Sequence, residues 1–150
     1  MNDFEYAYPF ASVIEEASAH EKSFIFSHCS ELKEDNAVPC FFWGSITQPF
    51  VVAKCLATLA KTVASQFAIA PGVLAKLRDP IISVGNGELL FEGFSSCNSV
   101  YARVGLRNDV LDGDFLQSGC TNIDFNDITV RAFNAVTASE KMVLSVGQKQ

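Results

Sequence analysis

Residues 81–106 read IISVGNGELLFEGFSSCNSVYARVGL, and this stretch decides the fold. Ile81–Val84 runs into Gly85-Asn86-Gly87, and Glu88–Glu92 follows. Two β-prone runs around such a turn predict a hairpin, because Gly and Asn reach positive φ at little steric cost. Farther on, Val100, Ala102, Val104 and Leu106 alternate with Tyr101 and Arg103, which predicts a third strand. Local antiparallel pairing of this kind implies an α+β fold rather than a doubly wound α/β one. The expected arrangement is an antiparallel sheet with helices packed mainly on one face.

Moving toward the N-terminus, Thr47 and Pro49 open a helix, since proline is tolerated where its missing N–H has no partner. Val52, Cys55, Leu56, Leu59, Val63 and Phe67 then recur at helical spacing. Lys54, Thr58, Lys61 and Ser65 make one polar stripe, and Ala53, Ala57, Ala60, Ala64 and Ala68 a small-residue stripe beside it. A short helix from Pro71 must stop by Asp79, because Pro80 disfavours a helical residue before it. Residues 1–40 read as a variable, mobile N-terminal segment preceding a domain over 41–150. Within it, Val13–Ala19 suggests a short helix, Ser23–Ser27 a strand or loop, and Glu31–Asn36 a solvated turn.

Toward the C-terminus, Asp112-Gly113 marks a turn. Asn126 or Asp127 caps a helix reaching about Ala138, with Ile128, Ala132, Phe133 and Val136 on its buried side. Met142–Val146 reads as a last strand.

The bulk composition fits one domain with a real core. Of 150 residues, 49% are apolar and only 19% charged, and thirteen Phe supply rings that need no hydrogen-bond partner. The net charge of −6 is uneven: −6 over residues 1–50, +3 over 51–80, −4 over 81–126 and +1 thereafter. An acidic chain is poorly suited to nucleic acid, which demands clustered bases; Lys54–Arg78 is the only local exception. The five cysteines follow no pattern, the start MNDFEYAYPF has no signal-peptide character, and no apolar run could span a bilayer. A reduced, cytoplasmic protein with no membrane segment is the expectation.

No chemistry stands out from the residues. Cys97 lies among hydroxyls in Ser95-Ser96-Cys97-Asn98, but a nucleophilic thiol needs a base, and the histidines His20 and His28 are remote in sequence. His28, Cys29 and Cys40 match no zinc-finger spacing. Asp109, Asp112, Asp114, Asp124 and Asp127 lack the glycine and distal Glu of a calcium loop, and turns and helix caps account for them. Gly85 and Gly87 precede a strand rather than a helix, and Gly44–Thr47 lacks a phosphate-binding lysine. No catalytic residue, metal or cofactor is therefore assigned. The place for a ligand is where Ser95–Asn98 approaches Asn122–Asn126, with Ser96, Cys97, Arg103, Asn122, Asp124 and Asn126 as candidate residues. Glu92 and Arg103 are expected to pair across neighbouring strands.

Three segments in order carry a resemblance: Phe41-Phe42-Trp43-Gly44; Phe91–Cys97 with Val100–Val104; and Leu111-Asp112-Gly113 with Thr121–Asn126. Together with Leu144-Ser145-Val146-Gly147, they resemble the N-terminal region of bacterial SWIM zinc-finger family proteins over roughly residues 41–147. Where that family commonly has two adjacent cysteines and a glycine, this chain has Cys97-Asn98-Ser99. The C-x-C and C-x-H zinc motif of the family is absent, so the resemblance implies no zinc. The chain is then a stand-alone version, a truncated relative or an excised piece. The apolar, Phe-rich chain, the lack of a catalytic set and this resemblance to a region of larger multidomain proteins together lead to the expectation of a non-catalytic module that binds another protein or itself. The alternative is a small enzyme or ligand-binding domain using Cys97, Arg103 and Asn122–Asp127.

Overall fold

The computed structural model describes residues 11–27, 40–65 and 79–147, which form nine strands and two helices. In chain order these are β1 (Val13–Ser18), β2 (Glu21–Phe26), β3 (Phe42–Ile46), α1 (Pro49–Ala64), β4 (Ile81–Gly85) and β5 (Glu88–Phe94). β6 (Tyr101–Leu106), β7 (Leu111–Phe115), β8 (Gly119–Asn122), α2 (Asp127–Ala135) and β9 (Lys141–Val146) complete the fold. The α+β class holds, and the strands divide into two sheets. One has the order β1-β2-β9-β3-β7, the other β6-β5-β4-β8. All neighbours run antiparallel except β2 and β9.

The hairpin at the centre of the sequence forms as its residues require. Asn86 and Gly87 both take positive φ, 54° and 74°, which suits the right-handed twist of β4 and β5. α1 begins at Pro49 and ends where Ser65 turns extended and its N–H bonds the Thr62 carbonyl at 3.1 Å. Its buried face is Val52, Ala53, Leu56, Ala57, Leu59, Ala60 and Val63, while Cys55 is exposed. Gly93 lets α1 approach β5 closely, because Val63 fills the space where a Gly93 side chain would stand. α1 packs on β5, β6 and α2. Phe67 and the short helix expected from Pro71 lie outside the described residues.

Several expectations change. Val13–Ser18 is a strand, not a helix, because Val13 and Ile14 pair with Ile25 and Phe24 in a hairpin. Asp112-Gly113 lies inside β7, where Gly113 meets Gly44 of β3 too closely for any side chain. In α2, Ile128 is exposed and Thr129 takes the buried position beside Phe133.

One core joins both sheets. Phe24 stacks on Phe133 with ring centres 4.7 Å apart, Phe26 meets Phe125 at 5.2 Å, and Phe26 meets Phe91 of the second sheet at 6.1 Å. Burying each such ring stabilises by roughly 1.5–3 kcal/mol. Phe24 and Phe26 come from the segment read as variable, yet both are fully buried.

Candidate functional site

Asp124 and Asn126 form the best-defined polar cluster. Asn126 precedes α2, and its Oδ1 accepts from the Thr129 N–H at 3.0 Å and from the Thr129 hydroxyl at 3.1 Å. Its Nδ2 donates to the Ser12 carbonyl at 3.0 Å and to the Asp124 carboxylate at 3.1 Å. That carboxylate also accepts from the Ser12 N–H at 3.1 Å. The cluster thus starts a helix and fastens the entry to β1 onto it. Asp124 and Asn126 border a cavity of about 380 Å³, together with Lys61, Asp79 and Asp127.

The Ser95–Val100 turn is tied to the end of α1. Ser96 donates its N–H to the Ser65 carbonyl at 3.1 Å and its hydroxyl to the Val63 carbonyl at 2.9 Å. Buried Ser95 closes the turn by accepting the Val100 N–H at 3.0 Å. Asn98 takes the left-handed conformation with φ 58°. Cys97 is exposed, with its Sγ 2.9 Å from the Ser99 hydroxyl. These hydroxyls serve the turn and the helix end; of the two histidines, His20 sits in the β1–β2 turn and His28 lies outside the described residues.

Arg103 lies elsewhere. Arg103, Glu92, Ile81 and Asn122 form one row across β6, β5, β4 and β8. Arg103 and Asn122 therefore stand on opposite edges of the sheet, roughly 14 Å apart at the usual strand spacing. The six candidate residues do not surround one pocket. Glu92 faces Arg103 in register, but its carboxylate accepts the Tyr101 hydroxyl at 2.8 Å. That bond raises the Tyr101 phenol above its ordinary pKa. The only ion pair among the described residues is Lys22–Glu140.

What sequence reading misses is the surface around β6. Its N–H and C=O groups alternate between β5 and a side that no other described strand covers. The two-residue turn makes Gly85–Glu88 a hydrogen-bonded pair, so Glu88, Leu90 and Glu92 bond to β4, and Leu89, Phe91 and Gly93 bond to β6. Ala102, Val104 and Leu106 are their partners, which leaves the main-chain groups of Tyr101, Arg103 and Gly105 directed outward at a sheet edge. Beside that edge, α1 and β6 bound a groove of about 480 Å³. Phe50 and Val51 are 44% and 53% exposed there. Thr58 and Thr62 also line it, but their hydroxyls bond back to the Lys54 and Thr58 carbonyls at 2.8 and 3.0 Å. With those hydroxyls occupied, the wet stripe expected of α1 is largely apolar here. The signal was present as the i, i+4, i+7, i+11 spacing of Val51, Cys55, Thr58 and Thr62.

Among the described residues, no group of three or more Cys, His, Asp or Glu side chains is placed to hold a metal, and no helix is long and apolar enough to cross a membrane. No family model, curated protein or solved structure matches the chain.

Proposed function

We propose that this domain is a non-catalytic binding module that docks a protein chain on the β6 edge and the groove beside it. The observation that carries the reading is the outward row of main-chain groups on Tyr101, Arg103 and Gly105, flanked by exposed Phe50 and Val51. An open strand edge supplies directional hydrogen bonds, and an adjoining apolar groove supplies burial and side-chain selectivity. The resemblance of residues 41–147 to the N-terminal region of SWIM zinc-finger proteins supports a role within a larger assembly. Cytoplasmic residence fits the cysteines without a pattern.

A second reading, ligand binding in the cavity beside Asp124, draws on its mixture of Lys61 with three carboxylates. Asp124 and Asn126 already spend their polar atoms on Ser12, on each other and on α2. This favours the groove over the cavity.

The test places a photo-crosslinking amino acid at Val51, in cells of the native host, with exposed Ser118, beside β8 on the opposite edge of the sheet, as the control position. Discrete adducts from Val51 and none from Ser118 are expected. Absence of adducts from Val51, or the same adducts from both positions, would overturn the reading.

A further inference from the structure

We propose that the occupant of the groove is a second copy of this chain, whose β6 adds antiparallel to the first across a two-fold axis through Val104. This rests on the docking role of the β6 edge and names the partner.

The remaining sheet edges are each blunted. β1 carries Glu15, Glu16 and a break in register between Glu16 and Ser18. β7 carries Asp112 and Asp114, and β8 is short, with the Phe41 ring pressed over Gly119. β6 has neither bulge nor proline, and its one charged side chain, Arg103, is the group that the pairing below engages.

The register follows from parity and charge. Side chains must keep their faces, so an odd residue of one copy meets an odd residue of the other. An axis through Arg103 would set two guanidiniums directly opposite, which is unfavourable. An axis through Ala102 would place Gly105 and Leu106 against the Ser95–Val100 turn instead of a strand. With the axis through Val104, Arg103 of one copy pairs with Gly105 of the second, and each pair exchanges both its N–H and C=O.

That register is also complementary in charge. Gly105 has no side chain, and the Glu88 carboxylate covers it: Glu88 Oε1 lies 2.9 Å from where a Gly105 Cβ would stand. An Arg103 guanidinium laid across Gly105 of the second copy therefore reaches the second copy's Glu88, and symmetry repeats the pair. On the other face, α1 packs over β5 and β6 at the sheet's margin. The two-fold brings its Val51, Cys55, Thr58 and Thr62 flank against the same flank of the second copy, burying the groove on both sides.

Sedimentation equilibrium between about 1 μM and 1 mM reads the result as a concentration-dependent dimer. Arg103→Glu and Glu88→Arg should each weaken dimerisation about tenfold or more, and the double exchange should recover most of the loss. Thermal melts of the single variants keep folding separate from assembly. Independently of charge, Val104→Cys should oxidise to a covalent dimer beyond the wild-type background, because that position meets its own copy at the close, non-hydrogen-bonded spacing. Arg103→Cys should not. A chain monomeric throughout, or a double exchange no better than its singles, would overturn the pairing. If the chain is monomeric but the Val51 crosslinker captures another protein, only self-pairing fails. If neither dimer nor adduct forms, the docking role fails with it.

Discussion

Gly44 and Gly113 face each other across β3 and β7 so closely that neither can carry a side chain. A Cβ on Gly113 would lie 2.3 Å from the Gly44 Cα and 2.4 Å from the Trp43 carbonyl oxygen, and both obstacles are backbone. Gly44→Ala and Gly113→Ala should each destabilise the fold by about 3 kcal/mol, at the upper end for overpacking. Chemical denaturation of each variant checks this. The double variant should be no milder than either single one, since the two side chains would occupy the same space.

Asn126 and Asp124 make a contrasting prediction. Asn126→Ala removes the cap and the tie to Ser12, for a loss of about 1–2 kcal/mol. Asn126→Asp keeps a cap acceptor, and Asp is as good an N-cap as Asn in isolation. Here it should also destabilise, because its second oxygen would face the Asp124 carboxylate and the Ser12 carbonyl in place of a donor. Thermal melts of both variants beside wild type measure the two losses.

Phe26 is the hinge of the aromatic core, touching Phe91, Phe125 and Phe133. Phe26→Ala should cost about 3–5 kcal/mol, the range for a large buried ring. Phe94→Ala should cost far less, because Phe94 is 52% exposed and stacks only on Tyr101 among the described rings. Urea unfolding of the two variants side by side gives the comparison.

Glu140 sets an acid limit on stability. Hydrogen bonds from the Lys22 ammonium, foremost, and from the Thr137 N–H lower its pKa from 4.5 to about 2. A carboxylate depressed in the folded state stabilises fully above its unfolded pKa, and that stabilisation disappears as pH falls through the folded value. Wild type should therefore lose stability between pH 4.5 and about 2, and Glu140→Gln should show a shallower fall over that interval. Melting temperature against pH for both proteins measures it.

The hairpin, the long helix and the last strand were legible because each is specified locally. Asn86-Gly87 dictates a turn, Pro49 a helix start, and Met142–Val146 a buried apolar run. β1 was illegible because Val13-Ile14-Glu15-Glu16 has no clear period, and its conformation is decided by pairing with β2. Gly113 misled for a related reason. Asp-Gly is a turn signal in isolation, and here the glycine answers to Gly44, far away in sequence. In the candidate site, Asn126 as helix cap was foreseeable from local sequence. The separation of Arg103 from Asn122 was not, since it depends on β8 joining the sheet on the side of β4 away from β5 and β6.

The β6 edge itself gives the most direct test. Residue-resolved hydrogen exchange compares the N–H of Arg103 and Gly105 with those of Ala102 and Val104, which already bond to β5. If β6 pairs with a second copy, Arg103 and Gly105 should slow by at least about tenfold as protein concentration rises, while Ala102 and Val104 stay slow throughout. Arg103 and Gly105 exchanging at one fast, concentration-independent rate would contradict that self-pairing.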